Sequence, residues 1–285
     1  MADSEALPLD EAADPRNQLN DLSGRAWTYA LRSVIATRYP TNGEEGYAHA
    51  LRRAHPSPKP PQLMAELIRF FTKRGGWVLD PFAGVGGTLL ACAMEGRSGA
   101  GLELSPEYAV IYQEVCVELG LEPQTLIVGD ARRVETYAAL GEQRFDMILT
   151  DPPYAQMMAR PKTGERKKRG RGDATPFTVD PADLGNLDYR AFLPALREAL
   201  ALALARLKPR GYLVLFAKDL QPTREHHNML HADIVAELLA LPGLSFRGYR
   251  IWHDMSQNLY PFGYPFTFVA NQVHQFILVF RNEAD

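Results

Sequence analysis

Residues 77–88 read Trp-Val-Leu-Asp-Pro-Phe-Ala-Gly-Val-Gly-Gly-Thr, an apolar run that passes directly into a glycine-rich segment. The run at 77–79 predicts a short buried strand, and the apolar residues at 88–94 predict a helix. Glycine has no side chain, so a glycine-rich turn between a strand and a helix lets a ligand approach the backbone closely. This stretch therefore predicts the first strand–turn–helix unit of a nucleotide-binding sheet.

The alternation of strand and helix patterns continues along the chain. Further strands are predicted at 98–104, 126–128, 145–149, 212–216, 248–252 and 275–281, and helices at 27–35, 62–71, 106–119, 189–207 and 230–241. This order predicts an α/β fold with a doubly wound, mostly parallel, seven-stranded Rossmann-like sheet. We expect one domain over residues 51–285, preceded by an N-terminal extension over 1–50 and interrupted by an inserted loop over 155–187.

The composition is that of an ordinary globular protein. The 285 residues are 46% hydrophobic and 23% charged, and the net charge is −3. The N-terminus lacks the basic and then apolar pattern of a secretion signal, and no apolar run is long enough to cross a bilayer, so we expect a cytoplasmic protein. Cys92 and Cys116 lie in apolar segments without metal-ligand spacing. They predict buried thiols, and no metal is expected.

Two acidic residues follow the second and third predicted strands. Glu103 comes about 20 residues after the glycine-rich turn, where it can bind a ribose diol, and Asp130 can accept from an adenine amino group. Glu103 and the glycines fit a nicotinamide dinucleotide as well as they fit S-adenosylmethionine. The glycine-rich turn, Glu103 and Asp130 together favour a ligand with an adenosyl group. They do not distinguish a nicotinamide dinucleotide from S-adenosylmethionine.

The segment Asp151-Pro152-Pro153-Tyr154 follows the strand at 145–149 and indicates which reaction the site catalyses. An exocyclic amine on adenine or cytosine is a poor nucleophile because its lone pair is delocalised into the ring. The Asp151 carboxylate and the rigid Pro152 carbonyl can accept both amine hydrogens and make that lone pair available. Tyr154 can supply a ring face for a splayed-out base. The segment therefore predicts methylation of an amine.

With these motifs the sequence resembles the amino-methyltransferases of DNA, which make N6-methyladenine or N4-methylcytosine, from about residue 55 to residue 280. The resemblance implies that residues 55–63 line the methionine end of S-adenosylmethionine, that 80–88 form the cofactor loop, and that 151–154 are catalytic. The implied cofactor-binding residues are Lys59, Asp80, Phe82, Gly84, Gly86, Gly87, Thr88, Glu103, Leu104, Asp130 and Ala131. It also implies an antiparallel final strand.

The resemblance further implies a DNA partner, with a restriction endonuclease as a candidate companion. An aspartate at the first catalytic position is commoner with adenine targets, so Asp151 favours N6 of adenine, and N4 of cytosine is the alternative. The chain departs from many family members because it has no room for a separate target-recognition domain. Recognition is therefore expected from the N-terminal segment, the insertion after Tyr154 and the aromatic stretch 253–274.

Two surface segments are candidates for contact with nucleic acid. Residues 160–171 form a basic run, which predicts phosphate contacts from Arg160, Lys162, Arg166, Lys167, Lys168, Arg169 and Arg171. The stretch 259–272 contains Tyr260, Phe262, Tyr264 and Phe266, which either stack against bases or pack a final β-hairpin. Packing is the preferred interpretation for most of these rings. His226, His227, His231 and Asp233 are expected at a surface or helix end, and Lys218 and Asp219 in a supporting polar role.

Four other functions stay open at this stage. RNA guanine-N2 methylation and protein amide methylation use similar tetrapeptides, although the sequence has no obvious RNA-binding module. A dinucleotide-dependent oxidoreductase would need a proton-transfer set that the motifs do not supply. An inactive nucleotide-binding regulator would not need the intact acidic and glycine positions.

Overall fold

A computed structural model describes residues 12–155, 176–222, 224 and 227–284. The described strands form one eight-stranded sheet in the order β1-β7-β8-β6-β5-β2-β3-β4. The strands are β1 (Val34–Thr37), β2 (Trp77–Asp80), β3 (Ser98–Glu103), β4 (Thr125–Val128), β5 (Phe145–Thr150), β6 (Leu207–Ala217), β7 (Leu244–Asp254) and β8 (His274–Asn282). Strand β8 is antiparallel to β6 and β7, and all other pairs are parallel. The α/β fold and the antiparallel final strand are confirmed.

Helices cover both faces of the sheet. They are α1 (Gly24–Ala30), α2 (His49–Arg52), α3 (Pro61–Phe71), α4 (Gly87–Glu95), α5 (Pro106–Leu119), α6 (Val134–Ala138), α7 (Tyr189–Leu204) and α8 (Leu230–Leu238). Helix α5 begins as the sequence predicts, with proline at its first position and the Ser105 hydroxyl accepting from Tyr108 N. In the described part of the chain, no helix combines the length and apolar character that a bilayer crossing needs.

The sheet has one strand more than the seven predicted. The helix expected over 27–35 ends at Ala30, and Val34–Thr37 pair with β7 instead. Val34, Ile35 and Thr37 are β-branched, and such side chains fit a strand better than a helix. The N-terminal segment thus contributes an edge strand to the sheet.

The boundary between α7 and β6 also differs from the prediction. Helix α7 ends at Leu204 rather than 207, and Leu207 already pairs with Phe145 of β5. The ladder is irregular between this pair and Met147–Tyr212, so Pro209 lies where no regular ladder bond is needed. Strand β6 therefore begins five residues before the predicted 212.

Two core layers flank the sheet. One packs α7 and α8 against it, and the other packs α3 and part of α4. Cys92 and Cys116 are both buried and form no disulfide. Because β2, β3, β5 and β6 are parallel neighbours, their carboxyl ends meet at a single edge of the sheet, where ligands bind in doubly wound folds.

Candidate active site

A cavity opens at the carboxyl edge of the sheet. Its walls are formed by the turns after β2, β3 and β5, by the segment before α3, and by residues 177–183. Of the predicted catalytic and cofactor residues, those that line it are Lys59, Asp80, Phe82, Gly84, Gly87, Thr88, Glu103, Asp151 and Pro153. The fold thus brings the expected cofactor half and the expected catalytic half to one place.

Asp80 joins these two halves. This buried carboxylate accepts from Thr88 Oγ1 of α4 at 2.5 Å, from Thr150 Oγ1 at the end of β5 at 2.6 Å, and from Phe82 N at 3.0 Å. Burial raises its pKa to about 6, although all three donors act in the opposite direction. Asp80 therefore fixes the cofactor loop to the residue that precedes Asp151.

Glu103 ends β3 and lies almost fully inside the cavity wall. Its Oε2 accepts from Gly84 N at 2.7 Å, and its Oε1 accepts from Ser105 N at 2.8 Å. Burial raises its pKa to about 7, against the lowering effect of both backbone donors. The two bonds fix the carboxylate and leave each oxygen a free acceptor position for a diol.

The Asp151 carboxylate is bound by two side chains of the same chain. Lys59 Nζ forms an ion pair with Oδ2, and the Tyr154 hydroxyl donates to Oδ1 at 2.5 Å. The side chains of Lys59 and Asp151 are 6% and 15% exposed, so water screens the pair little. Lys59 also lies over the Phe216 ring, with Nζ 5.2 Å from its centroid. The segment before α3 thereby holds Asp151 in place.

Tyr154 does not offer the exposed ring face that the sequence suggested. The residue is buried, and its hydroxyl is turned to Asp151. Burial raises its pKa well above the ordinary value, and the Asp151 charge adds to that effect. The side chain packs into the apolar layer that covers α7, so in this conformation its contact with the site is through the hydroxyl.

Aromatic residues that the sequence analysis did not single out form one wall. The His55 ring lies 4.8 Å from the Tyr108 ring and 5.0 Å from the Phe177 ring, centroid to centroid. Tyr108 OH donates to the Phe177 carbonyl at 2.6 Å, which fixes the segment that carries Phe177 and Asp183 to α5. Burial lowers the pKa of His55 to about 3, so the imidazole is neutral at physiological pH. The rings are tilted against one another, by 67° for His55 and Tyr108 and by 35° for His55 and Phe177, and together they give the cavity an uncharged aromatic wall suited to contact with a heterocycle.

The three predicted loop glycines serve the chain's own packing. A Cβ on Gly86 would lie 2.0 Å from the Tyr112 ring, and Gly86 has a φ of +78°. A Cβ on Gly87 would lie 3.1 Å from the Lys59 carbonyl, and one on Gly84 would lie 3.3 Å from His55 Nε2. Gly86 is absent from the cavity lining, so the need for glycine there comes from Tyr112 and not from an approaching ligand.

Other predicted residues lie outside the cavity lining: Gly86, Leu104, Asp130, Ala131, Pro152 and Tyr154. Asp130 is occupied by Arg132, whose Nε and a terminal nitrogen bond its two oxygens at 3.1 and 2.9 Å. Asp183 lines the cavity instead, and its carboxylate closes a local turn by accepting from Thr178 N and Gly185 N. No motif in the local sequence predicts that Asp183 lines the cavity, because this depends on how the segment 176–188 packs against the rest of the chain.

Some predictions fall elsewhere. The basic residues Arg160, Lys162, Arg166, Lys167, Lys168, Arg169 and Arg171, together with His226, lie outside the described residues. His231 Nδ1 pairs with Asp219 at 2.8 Å, and His227 lies 3.8 Å from Asp233. Neither Lys218 nor Asp219 lines the cavity, and the supporting polar role expected of them stays a prediction.

The cavity fits the expected S-adenosylmethionine. The Glu103 carboxylate has acceptor positions that suit a ribose diol, and His55, Tyr108 and Phe177 present aromatic surface that suits adenine. Arg52, fully buried, donates to the Lys59 carbonyl, and within the described chain its Nε has no partner. Burial lowers its pKa to about 10, so it remains a cation; it lies outside the cavity lining, and its charge contributes to the lowered pKa of His55.

Comparisons with known proteins agree with this arrangement. Residues 13–114 match the DNA methylase family N6_N4_Mtase. The chain is 43% identical over 58 residues to the type II methyltransferase M.XycI of Xanthomonas campestris pv. cyanopsidis, covering 20% of this chain and 19% of that protein. It is 30% identical over 147 residues to the tRNA (guanine(10)-N2)-dimethyltransferase of Methanocaldococcus jannaschii, covering 50% and 41%.

These alignments span less than half the length of either curated relative. The fold is shared with TrmN from Thermus thermophilus at a TM-score of 0.52 and 19% identity, over 81% of this chain and 51% of that one. The family match includes Lys59, Asp80 and Glu103 and ends before Asp151, so it does not reach the segment 151–154. Over residues 13–114 the chain is therefore similar to the N6_N4_Mtase family of DNA methylases.

Proposed function

We propose that the protein is an S-adenosylmethionine-dependent methyltransferase that modifies the exocyclic amine of a base in DNA, with N6 of adenine as the favoured target and N4 of cytosine as the alternative. The observation that carries this proposal is the position of Asp151. Asp151 directly follows β5, the strand that pairs with β2, and it lines the same cavity as Glu103. The family match supports DNA as the substrate.

The roles of the cavity residues follow from their chemistry. Bound S-adenosylmethionine supplies an electrophilic methyl group on its sulfonium. Glu103 accepts hydrogen bonds from the ribose hydroxyls, and the His55, Tyr108 and Phe177 wall holds the adenine. Asp80 keeps both halves of the site in register, because it bonds Thr88 and Thr150 at once. Positioning of this kind lowers the entropic cost of bringing two reactants together.

Asp151 acts on the target amine. A carboxylate has about four acceptor positions, so Asp151 can accept an amine N–H while it remains bound to Lys59 and Tyr154. That bond draws electron density back to the nitrogen, and the same carboxylate can take the proton that the methylated amine releases. Lys59 and Tyr154 act through Asp151 and are therefore positioning residues.

A methylation assay tests the proposal. Purified protein is incubated with labelled S-adenosylmethionine and mixed bacterial DNA, and the nucleosides are identified by mass spectrometry. We expect N6-methyladenine, its loss in Asp151→Asn, and full activity in the surface control Glu237→Gln. N4-methylcytosine would change the base and keep the mechanism. Cofactor binding without any DNA product would overturn the DNA assignment.

A second candidate is methylation of guanine N2 in tRNA. The aligned tRNA (guanine(10)-N2)-dimethyltransferase matches half of this chain, a longer stretch than the type II relatives match. The same assay with total tRNA separates the two candidates, because N2-methylguanosine forms only in the tRNA reaction. Pairing with a restriction endonuclease stays a prediction of the resemblance.

A further inference from the structure

The connection between β7 and β8, residues 255–273, has an unusual surface, and we call it the aromatic loop. Large apolar side chains protrude from it: Leu259, Phe262, Tyr264, Phe266 and Phe268 are 73%, 48%, 81%, 92% and 90% exposed. The packing interpretation preferred from the sequence is therefore wrong for Phe262, Tyr264 and Phe266. Exposed apolar residues clustered in this way mark an interaction surface.

The base of the aromatic loop is held in place. Asn271 clamps Tyr260 through two bonds, accepting from its N at 2.9 Å and donating to its carbonyl at 2.8 Å. Gln221 Nε2 donates to the Ala270 carbonyl at 2.7 Å, which ties the loop to the segment after β6. At the tip, the Gly263 carbonyl accepts from Phe266 N and Thr267 N at 2.7 and 2.8 Å. The exposed rings thus stand on an ordered turn.

The aromatic loop lies at the same edge of the sheet as Asp151. Thr150 pairs with Leu215, Leu215 pairs with Leu278, and Leu278 pairs with Tyr249. Strand β7 therefore ends, and β8 begins, at the edge where β5 ends. Neighbouring strands are about 4.8 Å apart and a strand rises about 3.3 Å per residue. His274, where β8 begins, is two strands across from β5 and four residues beyond Leu278, so it lies about 16 Å from Thr150. That separation corresponds to a few nucleotides of a bound strand.

We propose that the aromatic loop stacks against unpaired bases of the DNA substrate beside the target base. This inference rests on the proposed function and deepens it, because it assigns a contact surface for the substrate. Residues 255–273 contain no charged side chain, so the loop adds no charge that would repel phosphates. Aromatic faces bind the faces of bases, at about 1–3 kcal/mol per base. Arg38, which donates to the Met255 carbonyl at 3.0 Å, places a cation at the loop's start.

Two variants test the inference. Phe266→Ala/Phe268→Ala removes two exposed rings, and Val117→Ala truncates an exposed apolar residue near the end of α5, away from the site. DNA affinity is measured by fluorescence anisotropy with a short oligonucleotide that contains unpaired bases, at several salt concentrations. We expect the double variant to bind at least tenfold more weakly with an unchanged salt dependence, because no phosphate contact is lost. Val117→Ala should bind like the parent.

A reporter separates stacking from other effects. In Phe266→Trp, indole fluorescence should be quenched when the oligonucleotide is added, while S-adenosylmethionine binding measured by calorimetry stays unchanged in all variants. Equal DNA affinity of the parent and the double variant, or no quenching, overturns the inference. A parent that is dimeric and becomes monomeric in the double variant also overturns it, since the loop would then bind a second copy.

The inference and the proposed function can fail separately. Methylation of DNA by the parent together with unaltered DNA binding by the double variant overturns the inference alone. Quenching of the Phe266→Trp reporter by the oligonucleotide, with no methylated base formed, supports the inference and overturns the proposed function.

Discussion

Lys59 Nζ is ion-paired with Asp151 Oδ2, so the segment before α3 is joined to the segment 151–154 by two nearly buried charges. Residue 59 and residue 151 are 92 positions apart in the sequence. The pair therefore joins the two parts of the cavity wall that are proposed to face the cofactor and the target amine. Together with the Tyr154 hydroxyl, Lys59 fixes the orientation of the Asp151 carboxylate without any substrate.

Breaking this pair should destabilise the protein. Lys59→Met leaves the Asp151 charge without its partner, which costs about 3 kcal/mol of unfolding free energy, and Lys59→Met/Asp151→Asn should recover part of that loss. Denaturant unfolding of the double-mutant cycle should give a coupling energy above about 1 kcal/mol. The more exposed Arg197–Glu237 pair, at 2.9 Å, is the control and should couple by less than about 0.5 kcal/mol. Equal couplings would contradict a special role for the Lys59 pair.

Tyr154→Phe should lower kcat about tenfold with little change in the KM for DNA. The substitution keeps the buried ring and removes the bond to Asp151 Oδ1, and hydrogen bonds to charged groups contribute about 1.5–3 kcal/mol. Steady-state kinetics with labelled cofactor checks this. A KM that rises while kcat is unchanged would instead indicate that the hydroxyl contacts the DNA in the bound ground state.

Affinity for S-adenosylmethionine should fall as the pH drops below about 7. Burial raises the pKa of Glu103 to about 7, so the folded chain holds this proton to a higher pH than the unfolded chain does. The ribose hydroxyls need the carboxylate as acceptor, and that form is lost as the pH falls through 7. Calorimetry should show binding about tenfold weaker at pH 6 than at pH 8. Glu103→Gln should bind S-adenosylmethionine weakly at both pH values. If this variant still lost affinity between pH 8 and pH 6 as the parent does, the pH dependence would belong to another group.

Gly86→Ala should destabilise the protein far more than Gly120→Ala. Both glycines have positive φ, +78° and +62°, but a Cβ on Gly86 would clash with the Tyr112 ring at 2.0 Å, whereas one on Gly120 meets nothing within 4 Å. Backbone strain alone costs about 1 kcal/mol, so we expect about that for Gly120→Ala and at least 3 kcal/mol for Gly86→Ala. Thermal unfolding compares the two, and Gly86→Ala/Tyr112→Ala should relieve part of the larger loss.

The sequence was informative wherever a residue follows a predicted strand directly. Asp80 and Glu103 end β2 and β3, and Asp151 directly follows β5, so their meeting at one edge follows from the direction of three neighbouring parallel strands. Asp130 shows the limit of that argument, because Arg132 two residues away occupies its carboxylate. Whether a strand-end acid faces a ligand or a neighbour depends on side-chain partners that the strand pattern does not contain.

The missed residues depend on contacts between distant segments. Phe177 and Asp183 reach the cavity because Tyr108 OH holds the Phe177 carbonyl, 69 positions along the chain. Strand β1 is four residues long and has no turn signal that separates it from α1. The exposure of Phe266 and Phe268 could not be read from composition, since aromatic residues between two strands more often pack the hairpin that they connect.

The three hydrogen bonds of Asp80 bear on how such an enzyme can be recombined with its relatives. Thr88 belongs to the segment that matches the family, and Thr150 lies beyond it, yet both depend on the same buried carboxylate. A chimera divided between residues 114 and 145 would have to inherit Asp80, Thr88 and Thr150 as a compatible set. If the chimera inherited a segment without one of these threonines, the buried Asp80 carboxylate would lose one of its hydrogen-bond donors. The smallest exchangeable unit is therefore the whole stretch from β2 to the end of β5.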